Sequence, residues 1–168
     1  MAHPLVLQLH FCRNELKRAM EGVTEAEAVR RLEPMNSLGW MVAHLARQEQ
    51  QYWLIWAQGQ TLVPELIELA SSGAPPTTPP LAEMWVAWEK VISAAQPWLD
   101  NLTTSDLTTH MLANGQPLWE STGTLLRRVA YHYFYHIGES QAVRQLMGHQ
   151  GVGDFVGEIG DKAPYVPE

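Results

Sequence analysis

From Leu125 to Met147 the chain sets Leu125, Val129, His132, His136, Val143 and Met147 three, four or seven residues apart. At about 100° per residue these fall on one stripe, the pattern by which a helix turns a face toward a core. The stripe commits this stretch to α-structure, yet two of its members are histidines. A buried neutral imidazole needs partners for both ring nitrogens, and a polar group left unpaired in an apolar interior costs about 1–3 kcal/mol. Two imidazoles stacked one turn apart therefore ask for a shared partner.

Helical periodicity recurs over three more long segments, and strand-like alternation appears once. The first helix is expected from about Pro4 to Glu21, with Val6, Leu9, Leu16 and Met20 inward and Gly22 as its stop. Thr24-Glu25-Ala26-Glu27 has the form of a capping box for a short connecting helix through about Leu32. Asn36 or Ser37 can cap a second long helix, Leu38 to Gln58, with Leu38, Met41, Leu45, Tyr52 and Trp56 inward and His44, Gln48 and Ile55 along one flank.

The Pro-rich SSGAPPTTPP at 71–80 suits a long crossover. A third helix begins near Leu81, with Met84, Trp85, Trp88, Val91, Ile92 and Ala95 on its stripe, and Pro97 is expected to end or kink it. Asn114-Gly115 marks a small hairpin within 108–119. Ser121 or Thr122 opens the fourth helix, Gly148 closes it, and the tail from 150 to 168 reads as irregular, packed across the bundle or a neighbouring subunit. The expectation is an all-α, antiparallel four-helix bundle occupying 1–168 as one domain.

A length of 168 residues is enough to bury a full core without staples. Net charge −7 with scattered Lys and Arg argues against a nucleic-acid partner. No window approaches the roughly 18 apolar residues of a membrane span, and no basic leader precedes the first helix. Cys12, the one cysteine, lies among Leu9, Leu16 and Met20 and reads as a small buried hydrophobe. These features fit a soluble cytoplasmic protein.

His132 and His136, at i and i+4, place two rings on one helix face, a spacing suited to chelation but shared with ordinary core pairs. His44 adds a third inward imidazole from another helix. Three His from two helices leave coordination positions open for water or substrate, the arrangement of catalytic metals. Without a metal, the three would have to be satisfied by each other and by buried water.

The segments NSLGWMVAHLARQEQQYW (36–53) and HYFYHIGESQAVRQLMG (132–148) together resemble the DinB-like superfamily of four-helix bundles, a resemblance that spans nearly the whole chain. That family has one His in its second helix and a His-x-x-x-His pair in its fourth, followed by Gly and usually Gln. His44, His132, His136 and Gly138 match those positions. The resemblance implies a divalent metal, often zinc or nickel, on the three His, frequent homodimers, and kinship with S-transferases that use a low-molecular-weight thiol such as mycothiol or bacillithiol. Glu139 stands where Gln is common. Its carboxylate has three options: to ligate, to orient a ligand His, or to solvate a helix face.

The function expected is a divalent-metal-dependent enzyme that activates a small thiol or water toward a small-molecule substrate, of thiol S-transferase or hydrolase type. Its alternative is a noncatalytic metal-binding or ligand-sensing bundle that dimerises. Gln48 and Glu139 are the catalytic candidates. Glu49 reads as a surface charge, and Arg144 as a helix-terminal residue rather than part of a site. His3, His10, His110 and His149 read as surface or rim residues. Trp53, Trp56, Trp85 and Trp88 either pack the core or line an apolar pocket over the metal.

Overall fold

A computed structural model describes residues 2–167. Helix α1, Pro4–Ala19, starts at a proline that needs no donor, with His3 as its N-cap: Nδ1 accepts from the Leu5 amide at 3.1 Å. Val6, Leu9, Leu16 and Met20 are buried as the spacing requires, and Cys12 lies among them. Burial pushes the Cys12 thiol up to about 12, so it packs as an apolar group. The reciprocal Thr24–Glu27 capping box opens α2, a single turn at Glu25–Ala28.

Ser37 caps α3, Leu38–Glu49, which continues as a π-helical segment, Gln50–Trp56. Its wider i→i+5 turns rotate the chain relative to an α-helix. Trp53 and Leu54 are accordingly the fully buried apolar side chains there, while Tyr52 and Trp56, expected inward, are half-buried. Gln50 is buried and holds the crossover to this segment. Its side chain accepts from the Leu62 and Val63 amides and donates to the Val63 carbonyl.

The crossover contains α4, a one-turn helix at Glu65–Leu69 whose Leu66 is buried. It returns past Gly39, where a Cβ would lie 2.1 Å from the Pro79 carbonyl oxygen, so only glycine permits the approach. The Glu25 carboxylate then accepts from the Leu81 and Ala82 amides, giving the next helix its N-terminal partners.

That helix is α5, Leu81–Asp100, and it does not end at Pro97. Near a helix end proline removes a single backbone bond, and the remaining turn is held by fully buried Leu99 and by Asn101 Nδ2 donating to the Pro97 carbonyl at 2.7 Å. A capped turn, α6 (Thr104–Leu107), leads to strands β1 (Leu112–Ala113) and β2 (Gln116–Pro117). Asn114 and Gly115 join them with φ of 52° and 75°, the left-handed pair of a two-residue hairpin turn. Ser121 caps α7, Thr122–Leu146.

Contacts between helices fix their directions. Lys17 pairs with Glu89 and Arg13 with Gln96, so α1 and α5 are antiparallel. Asn36 meets Glu139 and Gln48 meets His132, so α3 and α7 are antiparallel too. Gly39 lies by Pro79 and Trp53 by Trp98, which makes α3 and α5 parallel neighbours. A parallel pair cannot be joined by a tight turn, and this explains the length of the 59–80 crossover. Among the described residues, no helix is long and apolar enough to cross a membrane.

The tail packs on the bundle. It forms one turn, α8 (Ile159–Lys162), buries Phe155 and Ala163, and is tied by Gln8 to the Ala163 carbonyl and by Gln141 to the Gly153 carbonyl. Arg144, expected at a helix end, donates to the carbonyls of Ala19 and Glu21 and so caps α1 at its C-terminus.

Glu49 corrects the surface-charge reading, for it is fully buried. Arg13 grips its carboxylate with two donors, Tyr133 donates its hydroxyl to the same group, and Trp88 Nε1 donates to that hydroxyl at 2.7 Å. Arg13 also donates to Gln96 Oε1 at 2.8 Å. One polar cluster thus joins α1, α3, α5 and α7 inside the core.

Candidate metal centre

His44 comes from α3, and His132 and His136 come from consecutive turns of α7. The three offer ligand atoms that all lie within 4.8 Å of one another. Their rings meet edge to face, with centroids 5.0 Å apart for His44–His132, 5.2 Å for His44–His136 and 4.6 Å for His132–His136. His44 and His136 are buried and His132 is partly open.

Each imidazole is held from behind. His44 Nδ1 lies 2.7 Å from the Ala70 carbonyl oxygen at the end of α4, His132 Nδ1 lies 2.8 Å from Gln48 Oε1, and His136 Nδ1 lies 2.8 Å from Glu139 Oε2. A carbonyl and a carboxylate only accept, so His44 and His136 carry their protons on Nδ1 and present bare Nε2 lone pairs. Gln48 Oε1 imposes the same tautomer on His132. The Nε2 atoms of His132 and His136 then face each other at 3.0 Å. Two lone pairs at that distance repel, and a shared cation relieves the repulsion. Three neutral imidazoles on one face suit a divalent transition ion such as zinc or nickel, so the residues present fit the metal the resemblance implies.

Electrostatics keeps His44 and His132 neutral. Burial first, then His136 and the Arg47 guanidinium, lowers His44 to about 4, and burial, then His136, His44 and the Arg128 guanidinium, lowers His132 to about 3. Burial pushes the Glu139 carboxyl up, but hydrogen bonds from His136 and Asn36 outweigh it and hold the group below its usual range. Asn36 meets Glu139 through both its side-chain amide, at 2.9 Å, and its backbone amide, at 3.3 Å. Glu139 therefore sits behind His136, on the side away from the converging Nε2 atoms, and Gln48 sits likewise behind His132.

Trp40 is a neighbour that the spacing arguments passed over. It stacks on His44 with centroids 4.5 Å apart at 9° and meets His136 edge-on at 6.0 Å. Its place four residues before His44 was the available signal. The tryptophans named from sequence are elsewhere. Trp53 and Trp88 are core, and Trp56 and Trp85 are half-buried against it.

A cavity of about 790 Å³ opens on His44 and His132, and a smaller one of about 380 Å³ reaches all three imidazoles beside Trp40. The other histidines do not join the cluster. His3 caps α1, His110 Nδ1 lies 2.7 Å from the Leu118 carbonyl oxygen, and His149 pairs with Glu27.

A search among curated proteins finds no match. The profile of the DinB superfamily matches residues 8–140 and so takes in all three histidines. A helical bundle of this connectivity, with that match over most of its length, makes the chain a member of the DinB superfamily.

Proposed function

We propose that the chain is a divalent-metal-dependent enzyme that activates a small thiol or water against a small-molecule electrophile, as a thiol S-transferase or a hydrolase. The observation that carries this reading is the convergence of three Nε2 lone pairs, each with its Nδ1 already engaged, beside a cavity large enough for a substrate. A divalent cation held by three neutral ligands supplies Lewis acidity, which lowers the pKa of water toward ~7 and deprotonates a thiol outright.

The chain's own residues do the remaining work. Ala70, Gln48 and Glu139 hold the three rings in one tautomer and one orientation. Gln48 and Glu139 act through the imidazoles and are positioning residues in this reading. Trp40 stacks on His44 and fills one wall of the site. With Glu139 occupied behind His136, no fourth His, Cys, Asp or Glu joins the cluster among the described residues, and this favours an enzyme over a closed structural site. A cytoplasmic homodimer belongs to the same proposal.

The test is elemental analysis of untagged protein followed by a thiol-transfer assay with and without chelator. About one transition ion per chain and chelator-sensitive transfer are expected. His132→Ala or His136→Ala should lose most of the metal while helical circular dichroism persists. Stoichiometric metal in both variants would overturn the assignment.

A further inference from the structure

The larger cavity beside His44 and His132 carries a charge pattern at odds with the chain around it. The whole sequence has net charge −7, yet Arg47, Arg127 and Arg128 all line this one cavity. Its one lining carboxylate, Glu120, is already paired with Arg128 through two hydrogen bonds of 2.8 and 2.6 Å. Arg47 and Arg127 have no carboxylate partner among the described residues. Arg47 Nε is moreover buried without a hydrogen-bond partner, a state that costs free energy unless a ligand supplies the acceptor.

Arg47 stands three residues after His44, so its side chain and the imidazole share one helix face. Tyr52, Tyr131 and Tyr135 complete the wall, and the last two are 71% and 69% exposed, apolar ring surface left uncovered at the cavity. Planar guanidinium forks match the oxygens of carboxylate and phosphate, and aromatic faces match a flat apolar body.

We propose that this cavity binds a small organic anion, its carboxylate or phosphate held by Arg47 and Arg127 and its flat body set against the three tyrosines. Bound this way, the ligand lies beside His44 and His132. The inference rests on the proposed metal-dependent reading for the role of that anion as substrate, but not for its binding.

The test is calorimetric titration of the full-length, zinc-treated chain at low ionic strength with benzoate, phenyl phosphate and neutral benzamide, with zinc content measured in parallel. Saturable binding of at least one anion, at least tenfold tighter than benzamide, is expected, and the tighter of the two anions identifies the headgroup. Arg47→Gln and Arg127→Gln should each weaken that anion about tenfold or more, with zinc content unchanged. Arg127 is exposed, so its variant keeps the test sound if the other fails to fold. The site is refuted if neither anion binds, if benzamide matches them, or if the folded variants bind as the parent does. Loss of zinc with arginine-dependent anion binding intact would sink the metal reading alone, and the converse would sink the anion site alone.

Discussion

Glu139→Ala separates the role of the carboxylate behind His136 from that of the imidazole itself. In the folded chain His136 is 3% exposed and its Nδ1–H has one acceptor, Glu139 Oε2 at 2.8 Å. Alanine leaves that donor unpaired and frees the ring to rotate or to change tautomer, which removes Nε2 from the cluster. Loss of such a supporting partner typically costs 10–100-fold in metal affinity. At about 1.36 kcal/mol per decade this is about 1.4–2.7 kcal/mol. Glu139→Gln keeps an acceptor oxygen at the same reach, so its loss should stay near the lower bound or below it. The assay is competition for zinc against a chromophoric chelator at pH 7.5, with far-ultraviolet circular dichroism to confirm equal helix content. If the Ala variant binds zinc within twofold of the parent, the carboxylate does not position the ligand, and the argument from the engaged Nδ1 atoms falls with it.

Chelator-treated protein should lose stability on acidification. His44 and His132 titrate near 4 and near 3 in the folded chain against about 6.5 unfolded, so from about pH 6.5 down to 4 the unfolded chain binds more protons and stability falls with pH. For His44 alone the upper bound is about 3 kcal/mol, and a melting temperature that stays flat between pH 7.5 and 5 would contradict it. Glu49→Ala should cost about 3–5 kcal/mol in urea unfolding, because it strands the Arg13 charge in the core. A loss under 1 kcal/mol would mean that water reaches the cluster. Gly39→Ala should cost about 1–3 kcal/mol by forcing the crossover off α3, and unchanged thermal stability would refute the close approach to Pro79.

What was legible in the sequence followed from local chemistry. The capping residues Thr24, Ser37 and Ser121, the Asn114-Gly115 turn and the stripes of α1, α5 and α7 all depend on neighbours within one or two turns, and they formed where the spacing placed them, with Trp85, Ile92 and Met147 at the half-buried edge of their stripes. The three histidines were legible for the same reason, since each lies on or beside an apolar stripe. Glu49 was not. Its partners Arg13 and Tyr133 lie 36 and 84 residues away, and a charge flanked by polar residues looks solvated until the fold brings a guanidinium to it. The Ala70 carbonyl behind His44 escaped likewise, because a backbone acceptor leaves no side-chain signature. The π-helical turns after Glu49 alter the period itself, which a fixed 100° projection does not register.

The two polar groups of this bundle occupy successive residues: Gln48 and Glu49 on α3, His132 and Tyr133 on α7. At each step one side chain of the pair turns to the cavity and the other to the core, so both clusters are set by the same approach of α3 to α7. Glu49 accepts from Tyr133 where Gln48 meets His132. A displacement of about 1 Å or more between the helices would break the inner hydrogen bonds and carry His44 away from the α7 pair His132 and His136. An apolar inner layer would stabilise the bundle equally well but would tolerate sliding, since dispersion contacts are not directional and buried polar groups must meet in register. The buried cluster, which costs desolvation and contributes little net stability, therefore makes physical sense as the element that fixes where the three imidazoles stand.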